Sequence, residues 1–558
     1  MRVKADYKRA INRARKAPKQ ESWNRLHTAM ETNNSHGFWS SWRTLYNKNK
    51  SSFASVVDGH SDKTEIAEVF RRSFQANSQP NDKAKVEDIN KKFSEKYEEY
   101  VKTHPPDCDC SNYSLTIENV IEAVCSVKTG KCADGDGLNA EHLHNAPFSV
   151  LRNLTNLFNR MLQHSMVPNQ FRLGFIVPII KDNQGNHGDV SNYRGITISP
   201  IFSKIFEHAL KIVYKDHLST SAHQFGFKRK SSTNHAIYCL KETTDYYINN
   251  GSNVYCSFLD ASKAFDRLVH KGLFLKLMER KIPLVFLDIL ITWHDGLFCR
   301  VKWDDQYSDW FSISAGVRQG GVLSPDLYSI YIDDLIRILR SYGIGCHYIK
   351  VFAAALFYAD DMAILAPSIK GLQKLLDVCH SYCVSWDIQL NSKKTKNMFF
   401  GKGSAPTYQL NLDGLAIPWE NKWKYLGVML KSGPSFGCCV LETLSKFYRA
   451  LNAVVRVEGR SEDMVMLRLL EAHCIPILTF GVEVIHVRDA NDRRKMRVAY
   501  NSVFRKLFNY SYRESVTDLQ HSLNRPTWEQ LCQRRQEQFL HNCAYWPSDS
   551  LVKVICPN

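Results

Sequence analysis

Residues 356–365 have the sequence LFYADDMAIL, and this stretch decides how the rest of the chain is interpreted. Two adjacent acids, Asp360 and Asp361, interrupt an apolar run with the composition of a β-strand. Burying each carboxylate without a partner would cost on the order of several kcal/mol. A tight turn between two short strands would instead bring both acids to the edge of a sheet, where bound cations neutralise them.

Two other adjacent acidic pairs show that such a pair alone is not decisive. Asp304-Asp305 lies in a Trp-rich turn, and Asp333-Asp334 lies on the amphipathic helix LYSIYIDDLIRIL, where one acid can face water. Among these three pairs, only Asp360-Asp361 is flanked on both sides by strand-like apolar residues. A purely structural role for that pair therefore stays open until further residues are considered.

A third acid follows a second predicted strand. Residues 254–259 have the pattern of a strand, Asp260 comes directly after it, and ASKAF then indicates a turn into a helix. Two neighbouring strands that end in acids would form one carboxylate cluster. Two-metal phosphoryl transfer needs such a cluster, because three carboxylates can hold two Mg2+ ions about 3.5 to 4 Å apart. One ion would activate a primer 3′ hydroxyl, and the other would hold the triphosphate and its leaving pyrophosphate.

The overall charge of the chain favours a polyanionic partner. The 558 residues are 44% hydrophobic, enough for more than one domain, and carry a formal net charge of +17. Residues 1–50 contain twelve Lys or Arg residues against three acids. We predict that this segment contacts the phosphate backbone of an RNA or an RNA/DNA hybrid. The alternative is a solvated helical arm.

Several classes of protein are disfavoured by the same composition. The best apolar run, 351–367, is split by Asp360-Asp361, so we expect no membrane span. The chain has 16 cysteines but no secretion signal at its start, so reduced thiols are expected. No cysteine pair has four zinc ligands at workable spacing, and no structural zinc site is expected.

The periodicity of the remaining sequence predicts a mixed helical and sheet protein. Helices are expected over the first 100 residues and over 115–129, followed by the turn-rich stretch GKCADGDGLNAEHL. Residues 171–198 predict a β-hairpin with a long polar tip, KDNQGNHGDVSN. Beyond residue 433 the pattern is mainly helical.

These blocks together resemble a known family. FLDASKAFD (258–266), AGVRQGGVLSPDLYSIYIDDL (315–335) and FYADD (357–361) are similar to the central motifs of reverse transcriptases from LINE-type (non-LTR) retrotransposons. Supporting blocks resemble the same family: GKCADGDGLNAEHL, VPIIKDNQGNHGDVSNYRGITISPIFSKIFE, HQFGFKRKSSTNHAI, LNSKKTKNMFF and KYLGVML. The match runs from about residue 128 to residue 430.

The resemblance implies an α/β (α+β) fold, arranged as a right-hand polymerase with fingers, palm and thumb. The palm would be built on an antiparallel sheet, with helical N- and C-terminal extensions. The reverse transcriptase domain would span about 160–432. The implied divisions are a basic helical N-terminal extension at 1–110, fingers with the first motif block and the β-hairpin at 111–255, a palm with the catalytic acids at 256–432, a helical thumb at 433–510 and a C-terminal tail at 511–558.

The resemblance also assigns the metal ligands and the group that would protonate pyrophosphate. Asp260, Asp360 and Asp361 match the metal-binding acids, with the backbone carbonyl of Ala261 as a further ligand. The implied cofactor is a pair of Mg2+ ions, with Mn2+ as a substitute. Lys394 matches the Lys of the N-x-x-K-T block, a candidate proton donor to pyrophosphate.

Five more residues match positions around the nucleotide. Phe265 matches the aromatic steric gate that would clash with a ribonucleotide 2′ hydroxyl, and Gln319 and Gly320 match the loop against nucleotide and template. Lys181 and Arg194 match fingers positions near the triphosphate. Each also has a structural interpretation, as a core, turn or solvated residue. The further acid in the 258–266 motif, at position 266, is interpreted as a structural cap rather than a metal ligand.

The function implied is RNA-directed DNA polymerisation by a non-LTR retrotransposon enzyme. Its partners would be template RNA, a DNA primer or RNA/DNA hybrid, and dNTPs, in an intracellular ribonucleoprotein of nucleus and cytoplasm. We recognise no endonuclease and no zinc knuckle of complete elements, so the expected molecule is the polymerase portion. Two alternatives stay open: RNA-templated RNA synthesis, and a catalytically silent or domesticated nucleic-acid-binding remnant. The sequence does not determine the oligomeric state.

Overall fold

The structure is a computed structural model that describes residues 21, 24–32, 34–46, 54–104, 114–403, 406–455, 463–485, 489–548 and 550–556. The chain divides into two compact units. The larger comprises Ser55–Cys438 with Glu537–Asn558, and the smaller comprises Met1–Ala54 with Cys439–Gln536. The functional boundaries predicted at residues 110, 255, 432 and 510 stay a prediction, since compactness alone does not test them.

The helices are distributed over both units. In chain order they are α1 (Ser35–Tyr46), α2 (Lys63–Asn77), α3 (Lys83–Thr103), α4 (Ile117–Ser126), α5 (Ala140–His144), α6 (Phe148–Gln163), α7 (Asn169–Arg172), α8 (Ile201–Val213), α9 (Thr233–Asn249), α10 (His270–Glu279), α11 (Leu284–His294), α12 (Ser324–Ser341), α13 (Ile369–Ser385), α14 (Val440–Val455), α15 (Asp463–His473), α16 (Ile475–Thr479), α17 (Ala490–Leu507), α18 (Thr517–Ser522), α19 (Trp528–Cys543) and α20 (Leu551–Ile555).

The strands all belong to the larger unit. They are β1 (Leu173–Ile180), β2 (Tyr193–Ile198), β3 (Val254–Asp260), β4 (Phe298–Trp303), β5 (Gln306–Tyr307), β6 (Phe311–Ser312), β7 (His347–Tyr348), β8 (Val351–Phe352), β9 (Ala355–Tyr358), β10 (Asp361–Ala366), β11 (Lys396–Phe400), β12 (Leu410–Leu412), β13 (Leu415–Ile417), β14 (Lys422–Tyr425), β15 (Val428–Lys431) and β16 (Gly437–Cys438).

A four-stranded antiparallel sheet in the order β11-β3-β10-β9 carries the acids. The two central strands, β3 and β10, are almost continuously apolar and buried, as expected for strands covered by other elements. The helices α9 and α13 pack against this sheet. Burial of the apolar residues leaves the acid-bearing ends of the two central strands nearest the surface.

A second sheet contains the predicted hairpin. β1 and β2 pair antiparallel, β1 also pairs in parallel with β4, and β5 and β6 extend from β4. One face of this sheet packs against α2. That helix begins because Asp62 accepts hydrogen bonds from the N–H groups of Thr64 and Glu65, and it buries Phe70 and Phe74 one turn apart.

The smaller unit is helical in its described residues. The helices α14, α15, α16 and α17 pack on one another. Leu26, Ala29 and Phe38 join Val465 and Leu469 in a shared apolar cluster. The described part of the N-terminal region therefore contributes to the core of this unit. Most of the basic residues predicted to contact nucleic acid, including all of those before residue 21, lie outside the described residues.

Many predictions from sequence are confirmed. The protein is a mixed α/β structure, the acid-bearing sheet is antiparallel, the hairpin over 171–198 is present, and the described region beyond residue 433 is mainly helical. No described helix is long and apolar enough to cross a membrane. The described cysteines form no disulfide bond among themselves.

One expectation about the other acidic pairs is wrong. Neither acid of Asp333-Asp334 simply faces water, since both are largely buried and paired. Asp333 lies 2.6 Å from Arg280 Nη2, and Asp334 lies 3.0 Å from Lys276 Nζ, whose side chain is only 1% exposed. The cations remove the cost of burying the acids, so this pair has a structural role.

Candidate active site

The acids Asp360 and Asp361 lie where β9 turns into β10. Asp361 is opposite Tyr358 in the register of this hairpin, so only Ala359 and Asp360 form the connection. Ala359 has a φ of 58°, in the left-handed region that costs a residue with a side chain about 1 to 2 kcal/mol. The tight turn predicted from LFYADDMAIL is therefore present, and it needs support from neighbouring residues.

The antiparallel pairing of β3 and β10 brings the third acid to the same place. Asp361 is directly opposite Asp260 in the register of the two strands. Directly opposed residues have Cα atoms about 4.5 to 5.5 Å apart and side chains on the same face of the sheet. Acids that are 101 positions apart in the chain are thus neighbours across one strand pair.

Burial and neighbouring negative charge make ionisation of the two acids of the turn less favourable. Burial, and then the charges of Asp360 and Asp260, raise the pKa of Asp361 to about 6. Burial also raises the pKa of Asp360, with Asp260 adding to the effect and Arg194 and Lys394 opposing it. The negative charge of Asp260 therefore disfavours ionisation of both acids of the turn, and a bound cation would oppose this effect.

The residues fit a hard divalent cation by their chemistry, although they are not pre-arranged as a closed site. In the described part of the chain, no three His, Cys, Asp or Glu side chains converge tightly enough to hold a metal ion unaided. The donors at this strand end are carboxylate oxygens, which Mg2+ prefers. The backbone bonds to the neighbouring 389–391 segment use the carbonyl of Asp260 and the N–H of Ser262, and neither involves the carbonyl of Ala261.

Lys394 lies beside the acids, as predicted. Its Nζ is 3.5 Å from Asp260 Oδ2, and its side chain is 68% exposed. The N–H of Lys394 donates to the side chain and the carbonyl of Asn391, whose own N–H donates to the carbonyl of Asp260. The turn that carries Lys394 is therefore tied to the end of β3.

The two basic residues of the hairpin lie within electrostatic reach of the site. Arg194 is exposed on β2, opposite Ile179 of β1, and its charge lowers the pKa of Asp360. Lys181 follows β1, and its Nζ donates to the carbonyl of Ser191 at 2.9 Å. Burial and the charge of Arg194 lower the pKa of Lys181, while Asp266 opposes this.

Phe265 is held in an aromatic stack. Its ring lies 4.7 Å from that of Tyr328 on α12 at an interplanar angle of 23°, and Phe227 contacts it edge-on at 5.7 Å. The carbonyl of Phe265 accepts a hydrogen bond from the N–H of Val317. The ring is partly buried. Part of its environment is therefore that of a core residue, and part is that of a pocket wall.

The loop with Gln319 and Gly320 is tied to the β1–β2 hairpin. Gln319 accepts a hydrogen bond at its carbonyl from the N–H of Thr197, and its Nε2 donates to Asp266 Oδ1 at 2.6 Å. Gly320 has a φ of 119°, and an added Cβ would lie 2.7 Å from the carbonyl oxygen of Thr197. Only glycine fits this approach. Asp266 is thus a structural partner of Gln319 in this loop.

Sequence reasoning missed two residues that contact this site. Tyr328 is fully buried, and its hydroxyl has no hydrogen-bond partner in the described structure. Burial raises its pKa, and the acids Asp360, Asp361 and Asp260 add to this effect. Gln224 bonds directly to the acid-bearing turn. The only available signal was that Gln224 lies in the block HQFGFKRKSSTNHAI and Tyr328 in the block 315–335, where neither residue had been assigned a role.

Comparison with known proteins agrees with these motifs. Residues 180–430 match the family model described as reverse transcriptase (RNA-dependent DNA polymerase). The probable RNA-directed DNA polymerase from transposon BS of Drosophila melanogaster is 26% identical over 440 residues, covering 76% of this chain and 48% of that protein. The RNA-directed DNA polymerase from the mobile element jockey of Drosophila melanogaster is 22% identical over 454 residues, covering 79% and 49%.

The chain spans about half the length of these curated relatives. Among solved structures, apo telomerase from Candida Tropicalis superposes with a TM-score of 0.37 at 13% identity, over 73% of this chain and 68% of that one. A TM-score this low carries no weight for the fold. The motifs, their register and the family match agree, and residues 180–430 therefore form a reverse transcriptase domain that is similar to those of LINE-type (non-LTR) elements.

Proposed function

We propose that this chain is an RNA-directed DNA polymerase that extends a primer 3′ hydroxyl on an RNA template with dNTPs. The observation that carries the proposal is the register of β3 and β10, in which Asp260 is opposite Asp361, next to the turn that carries Asp360. The proposal also agrees with the names of the relatives, which are RNA-directed DNA polymerases.

Asp260, Asp360 and Asp361, with the carbonyl of Ala261, would hold two Mg2+ ions, or Mn2+ as a substitute. When bound, the ions supply activation of the 3′ hydroxyl and stabilisation of the charge on the triphosphate. The raised pKa values of Asp360 and Asp361 support this assignment, because burial and, after it, neighbouring negative charge disfavour the ionised forms that a bound cation would stabilise.

The basic residues around the acids would act on the triphosphate. Arg194 and Lys181 come from the hairpin and would bind its phosphates through charge-assisted hydrogen bonds. Lys394, with its exposed ammonium group beside Asp260, would protonate the leaving pyrophosphate. The contact with Asp260 keeps this ammonium group near the reacting phosphates.

Phe265 would select deoxyribonucleotides by excluding a 2′ hydroxyl. Its stack on Tyr328 supports this role, because a ring that is held in place cannot move aside for a larger sugar. Gln319 and Gly320 would lie against the nucleotide and template. This selection favours DNA as product over RNA-templated RNA synthesis.

The proposal includes the partners of the protein, its cellular setting and the functional divisions of the chain. The partners would be template RNA with a DNA primer or an RNA/DNA hybrid, recognised by backbone charge and shape. The protein would act within a ribonucleoprotein of nucleus and cytoplasm. The divisions into fingers at 111–255, palm at 256–432 and thumb at 433–510 belong to the same proposal.

Primer extension on an RNA template with dNTPs and Mg2+ tests the proposal. We expect extension by the wild-type chain and its loss in Asp360→Asn, because an amide is a poor ligand for Mg2+. Asp305→Asn is the matched control, since Asp305 lies in an exposed turn and pairs with Lys63. Binding of RNA without extension by the wild-type chain, or full activity of Asp360→Asn, would overturn the proposal.

A further inference from the structure

Residues 223–227, His-Gln-Phe-Gly-Phe, run alongside the strand that leads to the catalytic acids. The N–H of Phe225 donates to the carbonyl of Phe357 at 2.7 Å, and the N–H of Phe357 donates to the carbonyl of His223 at 2.9 Å. Gln224 and Phe357 form a parallel bridge. This segment therefore pairs with the outer edge of β9, the strand that ends one residue before Ala359.

The side-chain amide of Gln224 forms hydrogen bonds with the turn that carries Asp360. Its Oε1 accepts hydrogen bonds from the N–H groups of Ala359 and Gly226, both at 2.9 Å. Its Nε2 donates to the carbonyl of Ala359 at 3.4 Å. The side chain is completely buried, so water does not replace these bonds when they are lost.

The backbone of Gly226 approaches the same turn more closely than any other residue type allows. An added Cβ would lie 2.4 Å from the nitrogen of Ala359 and 3.1 Å from its Cα. Real Cβ atoms do not come that close to backbone atoms. Ala359 is thus enclosed by Gln224 and Gly226 together, and it is the residue with the unfavourable positive φ.

The last residue of the segment reaches the steric gate. Phe227 has a φ of 60° and is 46% exposed, which is unusual for a large apolar side chain. Its ring meets Phe265 edge-on, with centroids 5.7 Å apart at 82°. Phe265 is therefore held between Phe227 and Tyr328.

We propose that residues 223–227 form a brace that positions the catalytic turn and the steric gate as one unit. Gln224 is a positioning residue for Asp360, acting through the backbone of Ala359. Phe227 is a positioning residue for Phe265 and, through it, for the sugar of the incoming nucleotide. This inference rests on the proposed function, because it assigns the brace to the same reaction.

The physical reason for the brace is the strain of the turn. The left-handed conformation of Ala359 favours relaxation of the turn. Two hydrogen bonds of one buried amide, with the N–H and the carbonyl of Ala359, oppose that relaxation at the peptide next to Asp360. Small displacements of a catalytic group, of about 1 Å, are enough to lower a rate a hundredfold.

The first test compares Gln224→Met with Gln373→Met. Met has a similar shape and makes no amide hydrogen bonds. Gln373 is a matched control, because its amide also bonds to backbone groups, at both the N–H and the carbonyl of Asn411 in β12, but not at the catalytic turn. We expect Gln224→Met to lower kcat for single-nucleotide addition about tenfold to a hundredfold and to require more Mg2+ for half-maximal rate. The KM for primer-template should change little.

A readout independent of activity accompanies the kinetics. In Gln224→Met, hydrogen exchange at the amide of Ala359 should accelerate at least tenfold, whereas in Gln373→Met it should match that of the wild type. Unchanged exchange and unchanged kcat would overturn the role of Gln224. Failure of Gln224→Met to fold, with Gln373→Met folded, would also overturn it, because the residue would then serve general stability.

The second test compares Phe227→Ala with Phe298→Ala. Both are exposed Phe residues, and Phe298 lies on β4. We expect Phe227→Ala to reduce the preference for dNTPs over rNTPs about tenfold, since the Phe265 ring would then be held by Tyr328 alone. Phe298→Ala should keep the preference of the wild type. Equal preference in all three proteins would overturn the role of Phe227.

The two proposals fail in different ways. If the wild-type chain extends no primer, the proposed function fails, and exchange at Ala359 still decides whether Gln224 supports the turn. If the wild-type chain extends primers but neither variant differs from its control, the brace fails alone.

Discussion

Asp266 shows how the environment of a single residue separates a structural acid from the proposed metal ligands. It lies in the same motif as Asp260, but its Oδ1 accepts a hydrogen bond from Gln319 Nε2 at 2.6 Å. Burial raises its pKa, whereas the bond from Gln319 and the charges of Lys263 and Lys181 oppose the rise. One side chain thus aligns the loop that would lie against the nucleotide.

Replacing Asp266 tests this alignment at the residue scale. In Asp266→Ala, Gln319 loses its acceptor, and we expect the KM for dNTP to rise about tenfold, the equivalent of ~1.4 kcal/mol for one hydrogen bond to a charged group. Asp266→Asn keeps an oxygen at the same place and should rise much less. Steady-state single-nucleotide incorporation measures both. Equal effects of the two substitutions would contradict the alignment.

At the scale of elements, α12 depends on a buried acid from another helix. Glu207 of α8 accepts hydrogen bonds at Oε2 from the N–H groups of Val322 and Leu323, just before α12 begins. Negative charge is favourable at the N-terminus of a helix. Because α12 carries Tyr328, this contact also fixes the base of the stack under Phe265.

Substituting Glu207 separates the hydrogen bonds from the charge. Glu207→Ala leaves two buried N–H groups without their acceptor, and we expect the free energy of unfolding to fall by about 2 kcal/mol or more. Glu207→Gln keeps one acceptor oxygen and should lose less. Chemical unfolding at pH 7 measures both, with Glu279→Ala on α10 as the surface control. A loss in Glu207→Ala no larger than in that control would contradict the capping role.

The same pair of variants has an expected pH dependence. Burial raises the pKa of Glu207, so its folded pKa lies above its unfolded value near 4.3. The protonated acid therefore stabilises the folded state at low pH, and this contribution is lost as the pH rises through the folded pKa. The gap between the wild type and Glu207→Gln should narrow from pH 4 to pH 8. A gap that widens over this range would contradict the raised pKa of Glu207.

At the scale of the whole molecule, the N-terminal region contains both a concentration of positive charge and residues of an apolar core. The chain carries a net charge of +17, with twelve Lys or Arg residues among its first 50 positions. Leu26, Ala29 and Phe38 from that segment belong to the apolar cluster of the smaller unit. Removing the whole segment would therefore mix loss of charge with loss of folding.

A cleaner experiment neutralises only residues 1–19. Replacing the eight Lys and Arg residues there by Gln leaves Leu26, Ala29 and Phe38 in place. If these residues bind phosphates, the slope of log affinity for RNA against log salt should become shallower by about 0.7 for each phosphate that is no longer neutralised. Lys91→Gln with Lys92→Gln on α3 is the control for removing charge elsewhere. A slope unchanged from the wild type would show that the segment binds no phosphate.

Some predictions from sequence depended only on local patterns and therefore succeeded. The alternating pattern of 171–198 encodes the hairpin, and the apolar runs around Asp360-Asp361 encode two strands and a turn. Both patterns are local, because the apolar side chains that are buried together are close in the sequence. The motif order predicted the position of Lys394 beside Asp260, whereas Phe265 and Gln319 were assigned to the site only by their match to the motifs. Their roles stay predictions until activity is measured.

By itself, the sequence determined the mixed class of the protein, the antiparallel sheet with acids at its strand ends, and the family of residues 180–430. Only the tertiary structure decided that Asp361 faces Asp260 in register, that Asp333 and Asp334 are buried against cations, and that Gln224 holds the turn at Ala359. The physical reason is range. Local propensity acts over a few residues, whereas Gln224 and Ala359 are 135 positions apart in the chain and meet only because a segment joins the edge of β9.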